Sequence, residues 1–268
     1  MNRHRWPLTT VLVFGYAFLY VPVLLLVVYS FNESRLVTVW SGFSTKWYGE
    51  LLRNRQLLDA AWLSIRIAAV NATLAVVLGT LAANALVRHG RFRGRTGFEL
   101  LLTAPLVMPD VIIGLSLLLL FVAMQQLISW PDGRGFTTIT IAHITFSMAY
   151  VAVVVRARLG QMDRSLEEAA MDLGARPLRV YLSITLPLIA PALLSGWLLA
   201  FTLSLDDLVI ASFVSGPGST TLPMVIYASV RMGVSPQINA LATLIVALIT
   251  LAVIIAGLTM RDGKRSKR

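Results

Sequence analysis

Three carboxylates stand inside long apolar runs of this chain: Asp110, directly after Pro109, and the consecutive pair Asp206 and Asp207. An ionised group at the centre of an inserted helix costs about 2.5–3.5 kcal/mol on translocon scales, so each needs a partner or a task. The task their chemistry allows is lowering the barrier for a cation crossing an apolar layer. Pro105 and Pro109 each remove a backbone donor and free a carbonyl one turn earlier, adding acceptors for ammonium protons. The alternative is structural, an interhelical hydrogen bond or an ion pair, and the sequence weighs the two evenly. Asp206 and Asp207 point about 100° apart on a helix, so one faces a pathway and the other a neighbour. Arg66 enters its apolar run at about their depth and is the obvious ion-pair partner, unless it extends to the interface. His143 has no carboxylate or second histidine at ligand spacing beside it. A hydrogen-bonded helix contact therefore outweighs a ligand or proton-relay role.

The second chemical feature is a charged island, Glu167-Glu168-Ala169-Ala170-Met171-Asp172-Leu173-Gly174, closed by Ile184 and Leu186-Pro187. Ser165 and Glu168 have capping-box spacing, which predicts a helix from there to Leu173. Gly174 can take the left-handed conformation that ends it, and Pro177 suits the first turn of a second helix. That helix leads through Val180-Tyr181 to Pro187, where the next apolar run begins. Ala169 and Ala170 are small enough for another protein surface to approach closely.

The elements that hold these groups follow from composition. The chain is 268 residues, 57% hydrophobic and 13% charged, with mean hydropathy +0.76. Its apolar residues cluster in runs of about 20 or more, long enough to cross a bilayer as helix. Six spans are expected, at about 9–31, 61–87, 98–124, 137–156, 187–214 and 238–260, in an all-α polytopic membrane protein. The first run is too long for a signal-peptide core and lacks a small-x-small cleavage site, so it is expected to be retained. The third, with its prolines, is expected to be bent or locally unwound, with Asp110 near mid-bilayer.

The net charge of +10 reports orientation. Sixteen basic residues fall before the first run, after the second and fourth, and after the last, against six in the alternate connections. This positive-inside bias puts both termini on the cytoplasmic side and makes nucleic acid a poor partner. Residues 1–60 hold the first span and an outer amphipathic segment around Lys46–Leu52, started by Ser44 or Thr45. Residues 61–260 hold five spans and the cytoplasmic loop 157–187, and 261–268 form a basic tail. Trp40, Trp47, Trp62 and Trp130 fall at outer ends of spans, where indoles favour the interface. The connection at 215–237 is expected to be a turn-rich hairpin. Small residues at Ala82-Ala83-Asn84-Ala85 and Ser195-Gly196 are expected to pack helices together. There are no cysteines, and no cofactor or metal site is indicated.

The island as a whole, Glu-Ala-Ala, three residues, Gly, nine residues, Ile-x-Leu-Pro, resembles the signature of permease subunits of bacterial ABC importers. It is matched at Glu168, Ala169, Ala170, Gly174, Ile184, Leu186 and Pro187. The resemblance implies a type I importer permease fold and a short helix that docks on a cytoplasmic ATPase. It further implies polar docking contacts from Glu168, packing of the alanines and a turn at Gly174. No G-x-x-x-x-G-K-[ST] sequence is present to cradle ATP, so hydrolysis would belong to another subunit.

A closer likeness runs through Ala104–Asp110, Leu203–Val209 and Asn239–Thr243, together with Val37–Trp40 and Lys46–Leu52. These segments resemble polyamine importer permeases, nearest to the second permease of putrescine systems, with spermidine importers sharing most of them. That family implies a second homologous permease, two ATPase subunits, a periplasmic polyamine-binding protein and a membrane lipid environment. The resemblance implies a pair in which either subunit can hold most of the substrate contacts. The loop at 215–237 and the segment at 44–60 are candidate surfaces for the binding protein. Asp110, Asp206 and Asp207 become candidates for the substrate pathway or gate. A stand-alone secondary transporter is disfavoured by the coupling pattern and by the lack of an internal repeat. An integral-membrane enzyme is disfavoured by the lack of a reactive cluster.

Overall fold

A chain that buries apolar runs in lipid must satisfy every backbone polar group within itself, and helices do so segment by segment. The computed structural model describes residues 5–35, 39–90, 92–232, 236–247 and 250–251. Among them the regular elements are helical, and extended backbone pairs in an isolated bridge between Asn32 and Phe43.

Among the described residues, five helical stretches are long and apolar enough to cross a membrane. They are α1 (Arg5–Tyr29), α3 (Arg55–Arg88), α5 (Asp110–Ile128), α6 (Phe136–Gln161) and a continuous run from Pro177 to Leu205. That run comprises α8 (Pro177–Val180), a π-helical turn (Tyr181–Thr185) and α9 (Leu186–Leu205). Shorter helices are α2 (Lys46–Arg53), α4 (Arg95–Thr103), α7 (Ser165–Asp172), α10 (Val209–Val214), α11 (Leu222–Met232) and α12 (Pro236–Ala247). The sixth expected span lies partly outside the described residues, and α12 is its described portion. The basic tail at 261–268 lies wholly outside them.

One expectation is sharpened and one corrected. The third span, expected over 98–124 to be bent or locally unwound, is unwound between two separate helices. α4 ends at Thr103, a 3₁₀ turn covers Ala104–Leu106, and α5 starts afresh at Asp110 behind Pro109. Two prolines four residues apart interrupt the hydrogen-bond ladder over consecutive turns, which ends one helix and begins another. The outer connection at 215–237 holds a tight turn and then α11 rather than a hairpin. Ser219 Oγ donates to Gly216 O at 2.7 Å and accepts from Gly216 N at 2.8 Å. At Gly216 a Cβ would meet Arg134 O at 2.3 Å, so this turn requires glycine.

The described residues group into two compact units, 59–225 and the described parts of 1–58 with 226–268. In the first, α6 is the central helix, burying Ala149, Val151, Ala152, Val155 and Leu159. A Cβ on Gly79 of α3 would lie 2.9 Å from Val151, and one on Gly196 of α9 would lie 3.3 Å from it. Small residues therefore let α3 and α9 close on the same valine of α6, at Gly196 within the expected Ser195-Gly196 stretch and at Gly79 outside the expected one. Asn71, fully buried on α3, donates to Ser147 Oγ on α6 (3.2 Å) and Ala200 O on α9 (2.9 Å).

In the second unit α2 is amphipathic as expected, but Trp47 is 2% exposed and not at a lipid interface. Its Nε1 donates to Asn32 O at 2.6 Å, which anchors α2 beneath the end of α1. Trp40, Trp62 and Trp130 remain exposed.

Candidate functional site

The charged island folds as two helices and a turn, but it starts differently from the expected capping box. Ser165 is the first residue of α7, and its N–H is taken by the Asp163 carboxylate at 3.0 Å. That hydrogen bond holds the Asp163 carboxyl below the usual carboxylate range, with the Ser165 hydroxyl adding to the effect. Glu168 N donates to Arg164 O at 3.1 Å, so no side chain is needed to satisfy it. Asp163, two residues before the helix, caps its first amide in place of the expected Ser165–Glu168 pair.

The far end follows the expectation. Gly174 has φ +86°, with Gly174 N bonded to Met171 O at 2.9 Å and Ala175 N to Ala170 O at 3.1 Å. This paired 5→2 and 6→1 pattern is a Schellman motif, and a residue with a Cβ would strain it. Pro177 then opens α8. Ile184 falls in the π turn, Leu186 begins α9 and Pro187 follows it. A proline ring inside a helix clashes with the carbonyl four residues back. Here the ladder widens just before Pro187, with Leu186 N reaching back five residues to Tyr181 O. The Ile-x-Leu-Pro segment thus lies at a π-helical turn in an otherwise continuous 29-residue helix.

Glu168 and Ala169 are exposed and Ala170 half-buried, while Leu173 is 90% and Leu178 70% exposed. Polar and apolar groups share this face, as a docking surface requires. Its inner side is set by Glu167, which the sequence reading did not single out. Arg88 Nη2 at the end of α3 donates to Glu167 Oε1 at 3.0 Å, and Thr185 Oγ1 in the π turn donates to the same oxygen at 2.6 Å. A groove of about 520 Å³ runs alongside, bordered by Arg88, Arg164, Met171, Leu178 and Tyr181.

The three membrane carboxylates have different surroundings. Asp110 is exposed in the first turn of α5, where the helix dipole favours a negative charge, and it is not in mid-helix. Asp207 lies in the break between α9 and α10 and is fully engaged. Its Oδ2 accepts from Ala211 N (2.7 Å) and its Oδ1 from Ile210 N (3.3 Å), capping α10. Oδ2 also lies 3.1 Å from His143 Nε2, and His143 Nδ1 lies 2.7 Å from Ser204 Oγ. A carboxylate only accepts, so Nε2 carries a proton. His143 is therefore the expected helix contact, and its partner is a carboxylate 64 residues away.

Arg66 is not the partner of this pair; its guanidinium sits 5.2 Å from the centre of the Phe136 ring. Among the described residues no side chain pairs with Asp206, which is exposed at the end of α9. Four residues beyond Asp110 and Asp206, respectively, Gly114 and Ile210 touch; a Gly114 Cβ would lie 3.3 Å from Ile210 Cα. Both carboxylates, neither with a side-chain partner among the described residues, are thus four residues in sequence from the same helix contact, Asp206 across the break and Asp110 one turn along α5. Among the described residues no cluster of potential metal ligands occurs.

Residues 75–262 match the family described as binding-protein-dependent transport system inner membrane components. The putrescine transport system permease protein PotI of Escherichia coli (strain K12) is 62% identical over 265 residues, covering 99% of this chain and 94% of that protein. The spermidine/putrescine transport system permease protein PotC of the same strain is 44% identical over 247 residues, covering 92% of this chain and 91% of that one. Among solved structures, a bacterial ABC transporter involved in the import of the acidic polysaccharide alginate matches with TM-score 0.71. That match covers 97% of this chain and 98% of the other at 17% identity, and so speaks for the fold. With this fold, this match and these relatives, the chain belongs to the family of inner membrane components of binding-protein-dependent transport systems, the permeases of ABC importers.

Proposed function

We propose that this permease imports a polyamine, putrescine foremost, in a complex with a second homologous permease, two cytoplasmic ATPase subunits and a periplasmic polyamine-binding protein. The observation that carries the substrate is the 62% identity to a putrescine permease along 99% of the chain. The unpaired carboxylates Asp110 and Asp206 support it, since a diammonium ion crossing an apolar layer needs counter-charges. Asp207, already engaged by His143 and by two backbone donors, serves to hold the break that presents Asp206. On the cytoplasmic side Glu168, Ala169 and Ala170 form the ATPase contact, and Gly174 turns the chain into the helix carrying Ile184, Leu186 and Pro187. ATP is hydrolysed in the ATPase subunits.

The test is uptake of labelled putrescine and spermidine by cells lacking their own polyamine importers and supplied with the whole complex. Putrescine uptake that competes poorly with spermidine is expected. Equal uptake of both would move the reading to a general polyamine permease, and uptake of neither would refute it. Asp110→Asn and Asp206→Asn are expected to lower uptake with the complex still assembled, and wild-type rates in both would remove the pathway role.

A further inference from the structure

α7 buries none of its side chains completely. Apolar packing therefore does little to fix it, and one side of it opens on the groove of about 520 Å³. What fixes it is polar. Arg164 Nη2 donates to Val87 O at 2.7 Å, and Glu167 Oε1 takes both the Arg88 guanidinium and the Thr185 hydroxyl. Glu167 and Arg88 are each about 85% covered, with side-chain exposures of 15% and 14%, so solvent screens this pair only partly. The neighbouring Glu168 points about 100° further round the helix and is exposed.

We infer that Glu167 is the positioning residue that transmits movement of the docking helix into the membrane, acting through Thr185 on the π turn that leads to α9 and through Arg88 on α3. The inference rests on the proposed role of α7 as the ATPase contact. It divides two adjacent glutamates by function: Glu168 faces the partner, and Glu167 faces inward. One carboxylate oxygen joins three elements, so displacement of α7 must pull on α3 and on the start of the α8–α9 run together. The joint is also able to pivot. Arg88 meets Glu167 through one terminal nitrogen, and its Nε is buried with no partner among the described residues, so the pair is not locked as a two-point fork.

The test uses the complete complex, reconstituted in liposomes with its binding protein, and measures ATP hydrolysed per substrate imported as well as ATPase retention. Glu167→Ala is expected to keep the ATPase bound and to raise that ratio at least about fivefold, the lower end of ordinary coupling energies. Thr185→Val is expected to raise it less. The charge exchange Glu167→Arg with Arg88→Glu is expected to bring the ratio part of the way back, which a loss of folding alone would not allow. An unchanged ratio in Glu167→Ala would overturn the inference, as would loss of the ATPase from Glu167→Ala that the exchange does not restore. Glu168→Lys separates the two levels of argument, being expected to release the ATPase with the permease intact. If Glu168→Lys keeps its ATPase, the docking reading itself is wrong.

Discussion

Asp206 and Asp207 are adjacent, identical in chemistry and opposite in circumstance, so alanine substitution should separate them sharply. Asp207→Ala removes the acceptor from His143 Nε2, Ala211 N and Ile210 N, at 3.1, 2.7 and 3.3 Å. A buried donor left unsatisfied costs about 1–3 kcal/mol. The Ile210 bond is long and counts at the low end, which makes the total roughly 4 kcal/mol. Asp207→Asn keeps one oxygen, which can occupy the Oδ2 position and serve both Ala211 and His143. Its cost should be about 1 kcal/mol, the loss of the weakest bond and of charge assistance. Asp206→Ala breaks no side-chain pair and should stay within about 0.5 kcal/mol of wild type. The measurement is denaturant-induced unfolding of the purified complex in mild detergent, followed by tryptophan fluorescence. Equal losses for Asp206→Ala and Asp207→Ala would refute the assignment of His143 and the α10 cap to Asp207. So would an unperturbed Asp207→Ala.

Three further outcomes are expected. Gly174→Val places a β-branched residue at φ +86° and should cost roughly 1–2 kcal/mol locally, read as weaker retention of the ATPase on purification, with Gly174→Asn milder. Gly114→Val drives side-chain atoms at Phe213, whose Cδ2 would lie 2.7 Å from the new Cβ, and should destabilise the subunit by about 1–3 kcal/mol in the same denaturation assay. Glu99 on α4 is hydrogen-bonded and ion-paired to Arg156, which holds its carboxyl below the usual value. A depressed folded-state pKa adds stability above the unfolded pKa and loses it as pH falls through the folded one. Glu99→Gln should therefore differ from wild type at neutral pH and converge with it as the pH drops below the ordinary carboxylate range, as followed by unfolding at stepped pH.

The membrane spans were legible because lipid imposes long apolar runs, and the island was legible because its acids, glycine and proline are local signals. Local signals also misled. Gly216-Pro217-Gly218-Ser219 does make a turn, but Pro223 lies at the second position of α11, where proline starts a helix as readily as it marks a loop. Pro105 and Pro109 signal a bend or a local unwinding, and only the structure shows that they separate two helices. The groups that remained hidden have partners far away in the chain. His143 finds Ser204 and Asp207 only after α6 and α9 pack, and Glu167 finds Arg88 and Thr185 only after the loop folds back on α3. No spacing rule reports such pairs.

On the proposed role of α7, the same geometry offers a route from the cytoplasmic loop to the break beside Asp206. From Pro177 to Leu205 the chain is helical without interruption, a length of about 43 Å at 1.5 Å per residue. A rigid rod of that length would carry any tilt of its cytoplasmic end straight to Asp206. The rod is not uniform, however. The π turn before Pro187 loosens its first two turns, and Pro191 removes a further hydrogen bond inside α9. Beyond these the helix is clamped to α6 through the approach of Gly196 to Val151, and to α3 through the bond from Asn71 to Ala200. On the proposed coupling, motion entering at α7 would meet the π turn first and the packed part of α9 afterwards, so that only a displacement large enough to exhaust the turn would move the Asp206–Leu208 break. Stiffening the turn by Pro187→Ala, which restores the missing donor, should lower that threshold and raise substrate-independent transport or hydrolysis in the reconstituted complex. If Pro187→Ala lowers both in an assembled complex, the turn drives the motion and does not filter it.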